Sequence, residues 1–581
     1  MRRPLLKIAL FATLVVAPDA AGVGKADARQ TPSVATLKTT PEATEFKSTS
    51  SYEDVIRFVK AVDAASPNIH YTTYGKTFEG RDMPLVVVGT GLKDASPASV
   101  MASKRLRVHI QANVHAGEVE GKESAQILLR EFALGQHADW LKSMVFIVNP
   151  IYNADGNEKM SPTNRGTQNG PINGMGTRQQ AQNINLNRDF MKLDTPEGKA
   201  NAKLYVDYDP HVSYDLHTSN GSCHAYYLTY SPPLNPDTSD TIMNIMKNEW
   251  FPFVTKQIKA KHGWDTFYYG NTQSREGECP GGGRGRAAGA PGAGAAGAAG
   301  AGATPPPPPP VTPAPAQAPA GPRSWGTFEH VPRFHNNYVG LRNRFALLSE
   351  AYSYATFEER IKVTNYFLEE SLNYLQQNIE KIRKATADAD REVIIGKPLG
   401  TRAAIKSGGM VEILMGSADQ EPNPVSGRMM NRRRDVVKPE QMIDRLWFEP
   451  TKLEDVPTEY YVPESATASL ELLRAHGIQL RRLTAPVRGV EQFSITSNTQ
   501  RAAGNSIDLG THGLRTLDGA WAAAADVTVP AGSWAVPMNQ PLARLAFYLI
   551  APTSDDGLVT WNFLDDLLGA DVKVYPIYRR K

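Results

Sequence analysis

His115 and Glu118 stand three residues apart across Ala116-Gly117, so one tight turn can aim an imidazole and a carboxylate at a single ion. The helix-borne motif H-E-x-x-H is absent, so a third ligand must come from elsewhere in the chain. His217 is the best candidate. It ends the apolar run Val212-Ser213-Tyr214-Asp215-Leu216, which reads as a strand. Two imidazoles and one carboxylate suit one zinc ion and leave a fourth position open for water, as catalytic zinc requires. Glu350 closes another apolar run, Phe345-Ala346-Leu347-Leu348. A carboxyl group at the end of such a run can be partly desolvated, which raises a carboxyl pKa.

Positioning these groups takes a sheet. Leu106 to Val114, Val145 to Asn149, Val212 to Leu216 and Phe345 to Glu350 read as strands. Glu120 to Leu134, Thr195 to Asp207, Thr241 to Lys261 and Phe357 to Ile382 read as helices between and after them. Upstream, Tyr52 to Ala64 has helical spacing, and His70 to Tyr74 and Pro84 to Val88 read as two strands. The alternation predicts an α/β fold: a mixed, mostly parallel central sheet with helices on both faces. His115 follows one strand and His217 ends another, and strand C-terminal ends are where such folds place ligands.

Several ordered pieces resemble the zinc carboxypeptidase (funnelin) family, in the form of a bacterial-type member with an extra C-terminal domain. They are His115-Ala-Gly-Glu118, Asn149-Pro150 with Asp155-Gly156, Asn185-Leu186-Asn187-Arg188-Asp189-Phe190, Asp215-Leu216-His217 and Leu348-Ser349-Glu350. The resemblance covers roughly residues 50 to 385. It implies that His115, Glu118 and His217 hold zinc and that Glu350 is the catalytic glutamate. It implies that Asn187 and Arg188 grip a substrate's terminal carboxylate, which a planar guanidinium binds in bidentate fashion. The family's carbonyl-polarising arginine has two candidates, Arg165 and Arg178. Its substrate-capping tyrosine has Tyr338 as the nearest match. Asn185 stands where the family has Asp, the group that orients a zinc-bound His; an amide oxygen accepts the same hydrogen bond without the charge. Asp189 also departs from the family pattern, where Asn is usual.

The implied activity is peptide-bond hydrolysis, carboxypeptidase-like, by an activated water with Glu350 as general base. A zinc amide hydrolase acting on N-acyl amino acids or cell-wall peptides would share these ligands. An inactive binding module on the same scaffold is the rival of another class, and the retained Glu350 speaks against it. His211, His224, His330 and His335 read as structural or surface residues, His224 lying close enough to line the cleft. Trp325 and Phe334 read as packing.

Composition bounds the rest. The 581 residues are more than one typical domain, with 41% hydrophobic and 21% charged residues. The 63 basic and 60 acidic residues balance to +3, which gives no support to nucleic-acid binding; Arg432-Arg433-Arg434 reads as a solvated run. The partner expected is a peptide substrate, with no obligate protein partner. Residues 1–28 read as a signal peptide: basic Met1 to Lys7, apolar Ile8 to Ala17, then Ala26-Asp27-Ala28. Export to a periplasmic or extracellular space follows, with no membrane-spanning segment. Residues 29–50 read as a loose leader, 51–389 as the catalytic domain and 390–581 as a C-terminal accessory domain, β-rich or α+β. In that last part, Val393 to Ile395, Val411 to Leu414 and Ala546 to Ile550 read as β-like, and Thr467 to His476 as a helix. The Gly/Ala/Pro-rich stretch 280–322 reads as a disordered insertion in a loop between two active-site strands, near the cleft rim. Cys223 and Cys279 are the only cysteines, and sequence leaves their pairing open.

Overall fold

The computed structural model describes residues 33–275, 278–280, 321–502, 504 and 506–581. The expected signal peptide, 1–28, and nearly all of the insertion 280–322 lie outside the described residues.

The core is an eight-stranded mixed sheet in the order β1-β2-β4-β3-β5-β9-β6-β7. Its strands are β1 (Ile69–Lys76), β2 (Asp82–Val88), β3 (Leu106–Ala112), β4 (Met144–Asn149), β5 (Val212–Thr218), β6 (Leu228–Ser231), β7 (Thr266–Tyr268) and β9 (Phe345–Ala351). β4, β3, β5 and β9 run parallel to one another, and β6 is parallel to β7. β1–β2, β2–β4 and β9–β6 are antiparallel. The expected mixed, mostly parallel sheet is therefore present, with antiparallel strands outside a parallel centre. The central strands are apolar runs because both faces are covered. Val86, Val88, Val108 and Ile110 face a core built with the helices Tyr52–Ala65, Glu120–Ala133, Phe251–His262 and Phe357–Gln377. Leu85, Val87, Val145 and Ile147 face the other side, against Leu204 and Tyr208 of the helix Pro196–Tyr208.

Local chemistry starts these helices where the sequence marks them. Ser51 accepts from Asp54 N while Asp54 reaches back to the Ser51 backbone, and Thr356 does the same with Glu359. Thr195 caps a helix with Pro196 in its first turn. The expected long helix from Phe357 ends at Gln377, where Asn378 leaves helical geometry, and a second helix, Ile379–Arg391, follows. The described part of the expected loose leader is packed. Val34 and Leu37 lie on the main core, and Thr49 and Ser50 donate hydrogen bonds to the buried Glu123.

Beyond residue 390 the chain is β-rich, with a six-stranded antiparallel sheet from β16 (Glu459–Val462) to β21 (Tyr578–Arg580). The expected helix near Thr467 is present, and Val411 to Leu414 lies in the strand Met410–Met415. Two β-like segments differ. Val393 to Ile395 precedes the first strand of this region, Pro398–Lys406. Ala546 to Ile550 lies in the helix Ala543–Ile550, buried along its whole length. A short apolar run reads alike as buried strand or buried helix, so periodicity could not separate them.

No gap in packing marks residue 390. Phe190, Tyr205, Tyr338 and Ala346 share one apolar core with Leu470, Val536, Phe547 and Trp561. β8 (Ser324–Gly326) pairs in parallel with β14 (Lys438–Arg445). The described ends of the insertion are tied together. Arg323 pairs with Glu278, and Cys279 forms a disulfide with Cys223, in the segment after β5. No helix among the described residues is long and apolar enough to cross a membrane.

Candidate active site

The parallel register of β5 with β9 sets His217 directly opposite Glu350. On the other side of β5, β3 runs parallel, and its exit loop carries His115 and Glu118. The Glu118 amide donates to the His115 carbonyl at 2.9 Å, the tight turn their spacing implied. Four side chains from three separate stretches of sequence thus meet at the C-terminal ends of three central strands.

His115, Glu118 and His217 are all buried, each with a ligand atom within 4.8 Å of the others. His115 Nδ1 lies 3.0 Å from Glu118 Oε1, and His217 Nδ1 lies 2.8 Å from Glu118 Oε2. The opposite ring nitrogens are held from behind. His115 Nε2 meets Asn185 Oδ1 at 3.0 Å, and His217 Nε2 meets Asp215 Oδ2 at 2.8 Å.

These partners settle the tautomers and test the site for a cation. Asn185 Oδ1 already accepts from the Asn187 amide, so it is an acceptor and His115 Nε2 must donate to it. Burial, then the Arg178 charge, lowers the His115 pKa to about 3, so the ring is neutral. A neutral imidazole has one N–H, and the Nδ1 lone pair therefore faces a carboxylate oxygen. A positive group must stand beside both, and Arg178 Nη1 does so here, 3.2 Å from Nδ1 and 3.7 Å from Glu118 Oε1. At His217 burial opposes protonation, but the Asp215 carboxylate outweighs it and raises the pKa well above the usual value. That ring's proton and two arginines supply positive charge around Glu118. Arg165 Nη2 donates to Glu118 Oε1 at 2.9 Å, and Arg178 Nη1 donates to His115 Nδ1 at 3.2 Å. The donor set, two imidazoles and a carboxylate with orienting partners behind each ring, fits a divalent metal.

Asp215 is itself held as an anion. Burial alone would raise its pKa, but His217 and His335 bring it to about 2, and Gln111 donates to its other oxygen at 3.2 Å. Glu350 is the contrast. Its pKa is pushed up to about 8, first by burial and then by the Glu118 charge, against the pull of His217, Arg178 and Arg165. Its carboxyl group makes no hydrogen bond among the described residues.

Asn187 and Arg188 lie one turn from Asn185 in the short 3-10 helix Leu186–Arg188. Asn187 Oδ1 accepts from the His335 amide at 3.4 Å. The Arg188 guanidinium stacks on Phe334 at 3.7 Å and donates to Asn187 O at 2.7 Å. Phe334 is thus more than packing, because it fixes the plane of a cationic group. Asp189 turns away from the cleft: it accepts from Thr195 and pairs with Lys192.

The expectation for Tyr338 is corrected. It is buried in the shared core, its hydroxyl at 3.0 Å from His476 Nδ1 and within reach of Arg342, where it cannot cap a substrate. His211, His330 and His335 are held in structural contacts, and His224 is buried against Tyr352 at 4.2 Å. Two residues escaped the sequence reading. Tyr269, just after β7, lies 5.7 Å from Phe328, which packs at 5.1 Å on the Phe334 ring beneath Arg188, and burial and then the Glu350 charge raise its hydroxyl pKa. Asp508, from the C-terminal region, accepts from Asn185 Nδ2 at 2.7 Å. Neither stands in a motif, and only the fold brings them near.

Residues 55–274 match a family model described as zinc carboxypeptidase. The match includes His115, Glu118, Arg188 and His217 and ends before Glu350 and Asp508. Among curated relatives, Carboxypeptidase 2 of Trichophyton rubrum is 31% identical over 146 residues, 24% of this chain and 23% of the relative. Carboxypeptidase 2 of Trichophyton tonsurans is 29% identical over 144 residues, 24% of this chain and 23% of the relative. The chain thus spans about a quarter of the length of the curated relatives it matches. Among solved structures, a metallo-carboxypeptidase from Burkholderia cenocepacia has a TM-score of 0.37 and 16% identity, covering 57% of this chain and 70% of that chain. The carboxypeptidase A from Helicoverpa armigera has a TM-score of 0.38 and 13% identity, covering 62% of this chain and 79% of that chain.

Proposed function

We propose that the chain is a zinc carboxypeptidase that removes C-terminal residues from peptides, with one zinc ion held by His115, Glu118 and His217, a reading supported by the match of residues 55–274 to the zinc carboxypeptidase model. The observation that carries this reading is the convergence of the three ligand atoms beside the His217–Glu350 register pair. Zinc in that position would lower the pKa of a water and polarise the scissile carbonyl.

The chain's own groups do the rest. Asp215 and Asn185 hold the two imidazoles so that Nδ1 of each faces the ion. Glu350 takes a proton from the attacking water and returns it to the leaving amine. Its poor solvation suits it to both transfers. Arg188, flat against Phe334, offers its fork to the substrate's terminal carboxylate, with Asn187 alongside. Burial of all three ligand side chains keeps bulk solvent from competing for their donor atoms.

Arg178 is the better candidate for the developing oxyanion. Arg165 is anchored by both Glu118 and Gln168, whereas Arg178 is about a third exposed and contacts the centre at longer range. Arg178→Gln is expected to lower kcat by about 10²–10³-fold with little change in KM, the cost of losing one oxyanion donor. Steady-state kinetics on one peptide checks this, and Arg165→Gln having the larger kcat effect would reverse the assignment.

Export completes the proposal. The basic-then-apolar start of the chain and the Cys223–Cys279 disulfide both suit an oxidising compartment.

A substrate panel tests the activity. Peptides with free C-termini are expected to release single C-terminal amino acids, and the same peptides amidated are expected to resist. Equal cleavage of both forms would remove carboxylate recognition. Turnover of N-acyl amino acids or cell-wall peptides alone would replace the peptide reading.

A further inference from the structure

The two imidazoles of the site are supported unequally. His217 Nε2 rests on a carboxylate, Asp215, at 2.8 Å. His115 Nε2 rests on an amide oxygen, Asn185 Oδ1, at 3.0 Å. An amide orients a ring but carries no charge to raise its basicity. Behind Asn185, however, stands a carboxylate. Asn185 Nδ2 donates to Asp508 Oδ1 at 2.7 Å, and the Asn185 backbone N–H donates to Ile507 O at 2.7 Å.

We propose that Asp508, from the C-terminal region, is a positioning residue for the metal site, acting on His115 through the side chain of Asn185. The chain of contacts is His115 Nε2–H to Asn185 Oδ1, then Asn185 Nδ2–H to Asp508. A carboxylate at the far end polarises the amide, making its oxygen a stronger acceptor. Asn185 is fully buried, so water cannot take over either end of its amide. The acidic end of the relay is real: burial opposes ionisation of Asp508, but the Arg188 charge, the Asn185 hydrogen bond and the Arg178 charge hold its pKa below the usual carboxylate range.

The segment that carries Asp508 is docked, not loosely apposed. His512 Nε2 meets Asp194 Oδ1 at 3.0 Å, and Leu509 lies in the shared core with Phe190 and Leu193. The C-terminal region thereby contributes to a site whose ligands all lie in the first 217 residues. It also sets an anion near Arg188, whose Nε is 4.0 Å from Asp508 Oδ1. That contact is too long for a hydrogen bond, so Asp508 does not occupy the guanidinium.

This inference rests on the zinc reading above, and the test separates the two. Zn2+ affinity of the full chain is measured by competition with a chromogenic chelator, for wild type, Asp508→Asn, Asn185→Asp and the double variant. Circular dichroism and melting of the metal-free forms establish that each is folded. Asp508→Asn is expected to weaken zinc binding by about tenfold, the low end for loss of an orienting partner. Asn185→Asp alone is expected to weaken it too, because two carboxylates would meet where a 2.7 Å hydrogen bond now lies. Together the substitutions place one carboxylate directly on His115, and affinity is expected to return to within about threefold of wild type. A purely structural role for Asp508 would not produce that rescue. Unchanged affinity in Asp508→Asn, or a double variant no better than Asp508→Asn, overturns the relay alone. A wild-type chain that takes up no zinc overturns the metal reading and the relay with it.

Discussion

Glu350→Gln is expected to lower kcat by about 10²–10⁴-fold while the protein keeps its zinc. The side chain changes by one atom, so the shape of the cleft is preserved and only the ability to carry a proton is lost. His115, Glu118 and His217 are untouched, and metal content by elemental analysis should match wild type. A pH profile adds a second reading. Burial pushes the Glu350 carboxyl up to about 8 in the metal-free protein. The group works as a base only when ionised, so wild-type kcat/KM should rise with pH through its pKa. A divalent cation beside it favours the ionised form, which moves the midpoint of that limb below 8. The limb should vanish in the variant.

The same carboxyl makes a stability prediction with a definite sign. Its folded pKa lies above its unfolded value, so the proton is bound more tightly in the folded state. Stability is fully present below the unfolded pKa and is lost as pH rises toward the folded one. At neutral pH, metal-free Glu350→Gln should therefore melt at a higher temperature than metal-free wild type. A variant with normal turnover would take Glu350 out of the mechanism whatever its melting point.

Removal of the metal should abolish hydrolysis entirely and lower the melting temperature. A strong chelator followed by desalting gives the test state, and stoichiometric Zn2+ should restore both properties. Mg2+ and Ca2+ should restore neither, because the ligand set holds two imidazoles and these hard cations prefer oxygen donors. The stability gain reflects binding to the folded state alone, so it should grow with free zinc concentration. It has a local source as well. Glu118 is a buried carboxylate facing two imidazoles, and without the ion its charge must be met by a proton on His217 and by Arg165. Activity that survives complete metal removal would leave the three-ligand cluster without a catalytic role.

The motif His115-Ala-Gly-Glu118, the strand ending at His217 and the apolar run ending at Glu350 were legible because they depend on local physics. Apolar runs of strand length must be buried, and residues at their C-terminal ends must face a common edge. The parallel centre of the sheet and the three residues that could hold a metal were therefore within reach of one sequence. The pairing of Cys223 with Cys279 was not, since it depends on where two loops lie in space. Nor was the burial of Tyr338, the nearest match to a capping tyrosine, legible: Arg342 and His476 give its hydroxyl buried partners. Asp508 is the clearest case. It lies 323 residues from Asn185 in sequence, within no motif, on a segment of ordinary composition. Covalent order sets what each residue is and the element it joins. The closing of one shared core over both halves of the chain decides which distant charges come to stand a hydrogen bond apart.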